Sequence, residues 1–503
     1  MRAGLRGVGL LAAAVMTAAV ARPVQTPAFA SIQPDLFSTG GTLVNAFADV
    51  DGDDDLDLFV GFGGAANRLS RNDAGRFTDI AAAAGLAEAR ASRAAAWGDA
   101  DGDGDPDLLL GFAPGPASVL KLYRNDRGVF ADITEPSGLS TTGGAVRQTS
   151  WVDVDADGDL DVFVAFRDRA NVLFRQDRGR FTNVAAAIGL ADARKTVGAV
   201  WVDVDQDDDL DLYVGNMDGD ANGLYRNDAG RFTDVAESLG VAWGGRAPRE
   251  VTNGTVRPCA EDVDNDGRFD LFMANYGPNG LFLNRAGAGG PRFEDVSAAW
   301  GVAIDGRYDS CAFADIDHDG HLDLYLNGTV TGGVSYRDYL FINRPGAGGG
   351  RRFEDATPDD IKALQADHGV QWADVDGDGD LDLALTGTRA DGMHALLRNA
   401  RAAAPDRRSL QVRVVDARGH ARFAGGEVCA FATGASRRLA CRLIDTGSGY
   451  NAQNDAPVHL AWQGDGRIDV VVTPRQTGVA AVRASNVDPG AHVGRALVVR
   501  VGR

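Results

Sequence analysis

A nine-residue acidic pattern recurs seven times along this chain, and it constrains the fold more than any other feature. The windows open at Asp49, Asp99, Asp153, Asp203, Asp262, Asp315 and Asp374, at spacings of 50, 54, 50, 59, 53 and 59 residues. Two residues ahead of them stand Phe47, Trp97, Trp151, Trp201, Ala260, Phe313 and Trp372, and short apolar runs such as Leu56–Phe62 and Leu210–Val214 follow. Each unit then carries a second block. Leu122–Asp126 and Leu224–Asp228 both read LYRND, and after a turn a phenylalanine recurs at Phe77, Phe130, Phe181, Phe232, Phe293 and Phe353. A unit thus reads as four short strands, and four strands at a period near fifty residues predict the blades of a β-propeller. Seven acidic loops predict seven blades. The seventh unit lacks its last strand, which Asp35-Leu36-Phe37-Ser38 is expected to supply, closing the ring and removing an exposed edge.

The loops also explain the charge. The 503-residue chain has 71 acidic and 50 basic residues, a formal charge of −21. The seven windows hold 35 of those acids and one base, Arg268, so the remainder has 49 bases against 36 acids. No basic stripe offers itself to phosphates, so nucleic acid is excluded as a partner. A hydrophobic content of 44% supports a buried core rather than disorder.

Aspartate occupies positions 1, 3, 5 and 9 of every window. These are Asp49, Asp51, Asp53, Asp57; Asp99, Asp101, Asp103, Asp107; Asp153, Asp155, Asp157, Asp161; and Asp203, Asp205, Asp207, Asp211. The last three sets are Asp262, Asp264, Asp266, Asp270; Asp315, Asp317, Asp319, Asp323; and Asp374, Asp376, Asp378, Asp382. Alternate oxygen donors on a tight loop suit Ca²⁺, which takes six to eight oxygens. About seven calcium sites are expected, acting structurally. Position 7 varies, as expected where a backbone carbonyl is the ligand, here that of Asp55, Asp105, Asp159, Asp209, Arg268, His321 or Asp380. Position 6 is glycine in five loops, suiting a left-handed turn, but Asp54 and Asp208 in loops one and four, which are expected to bind more weakly. An EF-hand differs, because it closes with Glu at position 12 between helices. His318 and His321, inside loop six, are expected to face solvent.

Residues 1–30 read as a signal peptide. Arg2 and Arg6 precede an apolar run from Gly7 to Val20, and small-residue cleavage patterns follow at Ala19-Val20-Ala21 and Ala28-Phe29-Ala30. The expected product is secreted or periplasmic, with no membrane span in the mature chain. Cys429 and Cys441 flank Thr433–Ser436 and read as facing thiols of a hairpin, a disulfide. Cys259 and Cys311 hold similar places in adjacent units, and a bridge between them is one arrangement this allows. The fold class is all-β: a propeller over 31–402, a linker over 403–408, and a small C-terminal β-sandwich-like domain over 409–503.

The acidic loops, with Phe62-Gly63-Gly64-Ala65 and Tyr276-Gly277-Pro278, resemble the FG-GAP/VCBS repeats of integrin α-subunit propellers. The segment Ile444–Asn454, followed by Val458-His459-Leu460, resembles the ASPIC/UnbV domain, and so does Arg467–Pro474, although its closing motif is degraded to Thr473–Gly478. The combination is similar to the cartilage acidic protein family and its bacterial relatives. That resemblance implies an extracellular calcium-binding propeller used for binding or adhesion, and supplies no catalytic residue.

No phosphate loop, zincin motif or nucleophile elbow is present, and Ser448 between glycines lacks a strand–turn–helix context. The chain is therefore expected not to be an enzyme, the alternative being a secreted hydrolase or lyase whose site no motif marks. The expected partner is an extracellular protein or glycan. Its surface is expected on the face opposite the acidic loops, where the longest insertions carry Trp243, Arg246, Arg249, Tyr336 and Arg337, with Tyr308 between them.

Overall fold

Each unit has too few strands to enclose a core of its own, so its apolar faces must be buried against a neighbouring sheet. In the computed structural model, which describes residues 27–242, 253–285, 290–346, 350–364, 367–388, 394–401 and 407–502, the chain is mostly β. The first unit is a four-stranded antiparallel sheet, Thr42–Ala48, Asp57–Phe62, Arg68–Asp73 and Arg76–Asp79, in that order. Similar sheets begin with Ser92–Gly98, Val146–Val152 and Thr196–Val202. Units five and six, beginning with Gly254–Glu261 and Asp305–Ala314, are joined where residues 276–278 pair with 305–307. The repeated four-stranded sheets are consistent with propeller blades.

The seventh sheet corrects one expectation. Its strands are Asp367–Ala373, Asp382–Gly387, Ala395–Asn399 and, from the other end of the chain, Phe29–Ser31. Phe29 pairs with Asn399 as Phe77 pairs with Asn72, so Phe29 and not Phe37 is the seventh recurring phenylalanine. The segment expected in that role is mostly a one-turn helix, Pro34–Phe37. It matches the short helices after the fourth strands of other units, such as Ala81–Ala84. Pro34 has no N–H for a ladder and a backbone angle suited to a helix start, which is why residues 35–38 do not pair. The strand also places Phe29 and Ala30, inside the range read as leader, within the sheet.

The aromatic residue before each loop locks one sheet to the next. Trp97, Trp151 and Trp201 are fully buried. Their indole N–H groups donate to Ala46 O (3.3 Å), Ala96 O (3.2 Å) and Ser150 Oγ (3.2 Å) of the preceding sheet. Burial of each such ring is worth about 2–3 kcal/mol. Asparagines of the third strands add polar staples: Asn125 Nδ2 donates to Val50 O at 2.9 Å, and Asn72 Nδ2 to Val375 O of the seventh sheet at 2.8 Å. Cys259 and Cys311 are joined across sheets five and six.

Residues 407–502 form two further sheets around one apolar core that includes Val412, Leu460, Trp462, Val470 and Val472. One holds Val458–Gln463, Arg407–Val415 and Leu497–Arg500, the last pair parallel; the other holds Arg438–Leu443, Glu427–Ala432, Ile468–Thr473 and Val482–Val487. Cys429 and Cys441 sit opposite each other in this second sheet and are bonded.

Candidate metal centre

Each acidic window is a loop wound around its own carboxylates. In loop one, Asp49 Oδ1 accepts from Gly52 N (2.8 Å) and Asp53 N (3.2 Å), and Oδ2 from Asp54 N (3.0 Å). Such winding needs left-handed residues, and position 6 is left-handed throughout, from Gly104 at φ 98° to Asp54 at 72° and Asp208 at 68°. Position 4 is left-handed as well, including Ala156, Gln206, Asn265 and His318, which the varied residue types there conceal.

Position 9 anchors the loop to its sheet. Asp57 Oδ2 accepts from Val50 N (2.8 Å) and Oδ1 from Asn72 N (2.7 Å), and the same pair of bonds recurs at Asp107, Asp161, Asp211, Asp270, Asp323 and Asp382. Burial pushes Asp57, Asp107, Asp161, Asp211 and Asp382 up to about 8, and neighbouring loop carboxylates add to the shift. Position 7 has a role the pattern hid. Asp55 Oδ2 accepts from Ala74 N at 2.7 Å and so caps the turn between strands three and four; Asp105 and Asp209 do the same.

The donor atoms converge. Carboxylate oxygens of Asp49, Asp51 and Asp53 lie within 4.8 Å of one another, as do those of Asp99, Asp101 and Asp107, of Asp153, Asp155 and Asp161, and of Asp203, Asp205 and Asp211. Asp51, Asp205 and Asp317, all at position 3, each present a buried Oδ1 without a hydrogen-bond partner. An all-oxygen set with orphaned anionic oxygens fits a hard divalent cation. In loops five and six an arginine at or just past the end of the third strand takes part of that role: Arg285 Nη1 lies 2.6 Å from Asp264 Oδ2, and Arg344 Nη1 2.7 Å from Asp317 Oδ2.

What the sequence did not reveal is that the C-terminal unit sits on these loops. Arg475 Nη1 donates to Asp203 Oδ2 (3.2 Å), Gln476 Nε2 to Asp153 Oδ2 (3.2 Å), Arg438 Nη1 to Asp262 Oδ2 (3.3 Å) and Gln411 Nε2 to Asp374 Oδ2 (2.8 Å). Every one of these contacts goes to position 1. The same docking corrects the expectation for His318, which is 4% exposed. Its Nε2 lies 3.1 Å from Asp380 Oδ1, and burial, with His459 beside it, pushes the ring down to about 2. His321 is half-buried against Asn265.

From the same unit, residues 444–455 reach the edges that the first strands form in their sheets. Gln453 exchanges two hydrogen bonds with the Trp151 backbone, Thr446 two with that of Trp201, and Asn454 Oδ1 accepts from Phe47 N at 2.8 Å. Ala452 and Gln453 pair in parallel with Ala95 and Ala96. Asp445 organises the turn, accepting from Gly447 N (2.7 Å), Ser448 Oγ (2.7 Å) and Asn454 N (2.9 Å). Ser448 therefore serves the turn. Gly449 lies against Val370 O, where a Cβ would come within 2.1 Å.

Of the surface expected to take a ligand, Trp243, Arg246 and Arg249 lie outside the described residues. Tyr308 is 2% exposed and packs on Tyr339 with ring centroids 6.1 Å apart, so it belongs to the core: its strand begins at Asp305 and is already inside the sheet. Arg337 lies over the Tyr339 ring and 2.6 Å from Asp355, and Tyr336 is half-buried.

The FG-GAP-like repeat family matches residues 49–110, 153–214 and 262–326, which contain loops one to six. The chain carries FG-GAP-like repeats. It is also distantly homologous to cartilage acidic protein 1 of Xenopus tropicalis, 25% identical over 301 residues that cover 58% of this chain and 43% of that protein. The match thus spans less than half the length of that curated relative. Among solved structures it is similar to BBS1N from a complex with ARL6DN (TM-score 0.45, 9% identity, 75% of this chain and 98% of that one). It is also similar to an Agrocybe aegerita lectin that recognises non-reducing terminal N-acetylglucosamine (TM-score 0.38, 16% identity, 69% and 85%). Among the described residues no helix is long and apolar enough to cross a membrane.

Proposed function

We propose that the seven acidic loops are calcium sites and that the seven sheets form a closed seven-bladed β-propeller, exported from the cell, which serves as a binding or adhesion module for an extracellular protein or glycan. The observation that carries this reading is the set of orphaned position-3 oxygens inside converging carboxylates. In each loop Asp at positions 1, 3, 5 and 9, with the position 7 carbonyl, would hold the ion, whose charge would offset both the burial of the position-9 carboxylates and their repulsion by the other loop carboxylates. The C-terminal unit, a small β-sandwich, acts as a plug whose segment 444–455 fills the central channel. Catalysis has no part in this reading, because Ser448 and Asp445 are spent on the plug's own turn. Metal analysis of the purified full chain, paired with melting curves in calcium and in EDTA, tests it. A ratio near seven calcium per chain with a large EDTA-induced drop in Tm supports it; no bound calcium and an unchanged Tm would refute it.

A further inference from the structure

The first strand of every sheet carries a β-bulge at the same place, near its start and away from the acidic loop. Bulges re-aim a side chain out of the sheet, so these positions ring the channel mouth on the face opposite the metal loops. Three are apolar: Leu43, Val197 and Val256. Asp309 and His368 are paired, Oδ2 to Nδ1 at 2.7 Å, while His368 Nε2 has no hydrogen-bond partner. The remaining two are Arg93 and Arg147, on adjacent sheets.

These arginines are unmatched. Among the described residues neither has an ion pair, and the buried Nε of Arg147 has no hydrogen-bond partner. Beside them the plug delivers Tyr450, whose ring lies 3.6 Å from that of His368, and Asn451, whose O accepts from Ala95 N at 3.3 Å. Asn451 is fully buried at φ 58°, and neither its Oδ1 nor its Nδ2 has a partner. Burial lowers the Arg93 guanidinium; Tyr450 opposes the shift and Arg147 adds to it. Two neighbouring cations with no ion pair among the described residues repel, and a planar guanidinium pairs best with an oxyanion in a two-pronged contact.

We propose that this mouth is an oxyanion site, in which Arg93 and Arg147 hold a carboxylate or sulfate group. The inference rests on the closed-ring reading above and names the chemistry of the ligand. The group comes either from a small organic acid or from an acidic polysaccharide.

Calorimetric titration of the full chain in calcium-containing chloride buffer, with sulfate, glucuronate and a polyuronate as probes, tests the site. Saturable binding is expected, weakened about tenfold or more in Arg93→Gln and in Arg147→Gln. It should be unchanged in Arg178→Gln, on an exposed turn. Arg147→Lys, which keeps the charge and loses the fork, should lie between them and guards against a variant that fails to fold. Tight binding of glucuronate and polyuronate alike assigns a small acid; binding of polyuronate alone assigns a polysaccharide. Absence of saturable binding by the wild type, or equal binding by the Arg93→Gln/Arg147→Gln variant with an unchanged melting curve, would overturn the proposal. An EDTA-insensitive Tm with intact probe binding would sink the calcium reading and leave this site standing.

Discussion

Gln453 and Trp151, 302 residues apart, are tied by two hydrogen bonds: Trp151 N donates to Gln453 Oε1 at 2.6 Å, and Gln453 Nε2 donates to Trp151 O at 3.1 Å. An amide side chain thus copies the pairing of a β-strand against an edge that pairs with no other strand among the described residues. Gln453→Ala leaves both buried backbone groups unpaired and is expected to cost about 2–4 kcal/mol. Urea unfolding should show this loss in the signal of the repeated sheets as well as in that of the C-terminal unit. A change confined to the C-terminal unit would mean that the plug and the sheets do not stabilise each other.

Loops one and four carry Asp54 and Asp208 in a left-handed conformation that glycine adopts freely. Asp54→Gly and Asp208→Gly are each expected to stabilise the calcium-loaded protein by about 1 kcal/mol and to tighten the corresponding site. Thermal melts and calcium titrations of the single variants check this. Unchanged affinity in both would show that position 6 does not set loop strength.

His394 supplies a pH dependence separate from the metal loops. It is buried, with its ring 5.5 Å from that of Phe37, and burial, with Arg68 nearby, pushes it down to about 3. The unfolded chain takes up a proton near pH 6.5 while the folded one stays neutral, so the stability His394 contributes above that pH is lost as the pH falls toward 3. Between pH 6.5 and 5 the loss is about 2 kcal/mol. In saturating calcium, His394→Phe should flatten the fall in Tm over this range relative to wild type; parallel curves would rule the effect out.

The strand Phe29–Ser31 bears on export. Processing after Ala30 would remove two of its three residues and leave Ala395–Asn399 without its outer partner. Processing after Ala21 keeps the sheet whole. On the proposed export, intact-mass measurement of the processed protein is expected to find a chain beginning at Arg22, and a chain beginning at Ser31 would contradict this.

Much of the fold was legible because each unit repeats the same physical problem. Trp97, Trp151 and Trp201 announce the packing of one sheet on the next, and the spacing of aspartates announces a loop closing on itself. Phe29 was missed because it lies among small apolar residues that look equally like the end of a leader. The roles of Arg475, Arg438 and Gln411 were out of reach for a different reason. Their partners Asp203, Asp262 and Asp374 are far off in sequence, and no local periodicity records that two units dock. The residues at position 4 of the loops show a third kind of silence: Ala, Gln, Asn and His share a backbone angle there without sharing chemistry.

The seventh sheet is built from both ends of the repeat array, since Phe29–Ser31 completes what Ala395–Asn399 leaves open. A chain synthesised from its N-terminus must hold this strand unpaired until the last unit emerges. Units one to six can assemble in order as they appear, whereas the join waits for the whole array. Completion of the seventh sheet is thereby a checkpoint for length: a product truncated before residue 395 has no strand for Phe29–Ser31 to pair with, and the edges left open mark it for aggregation or proteolysis.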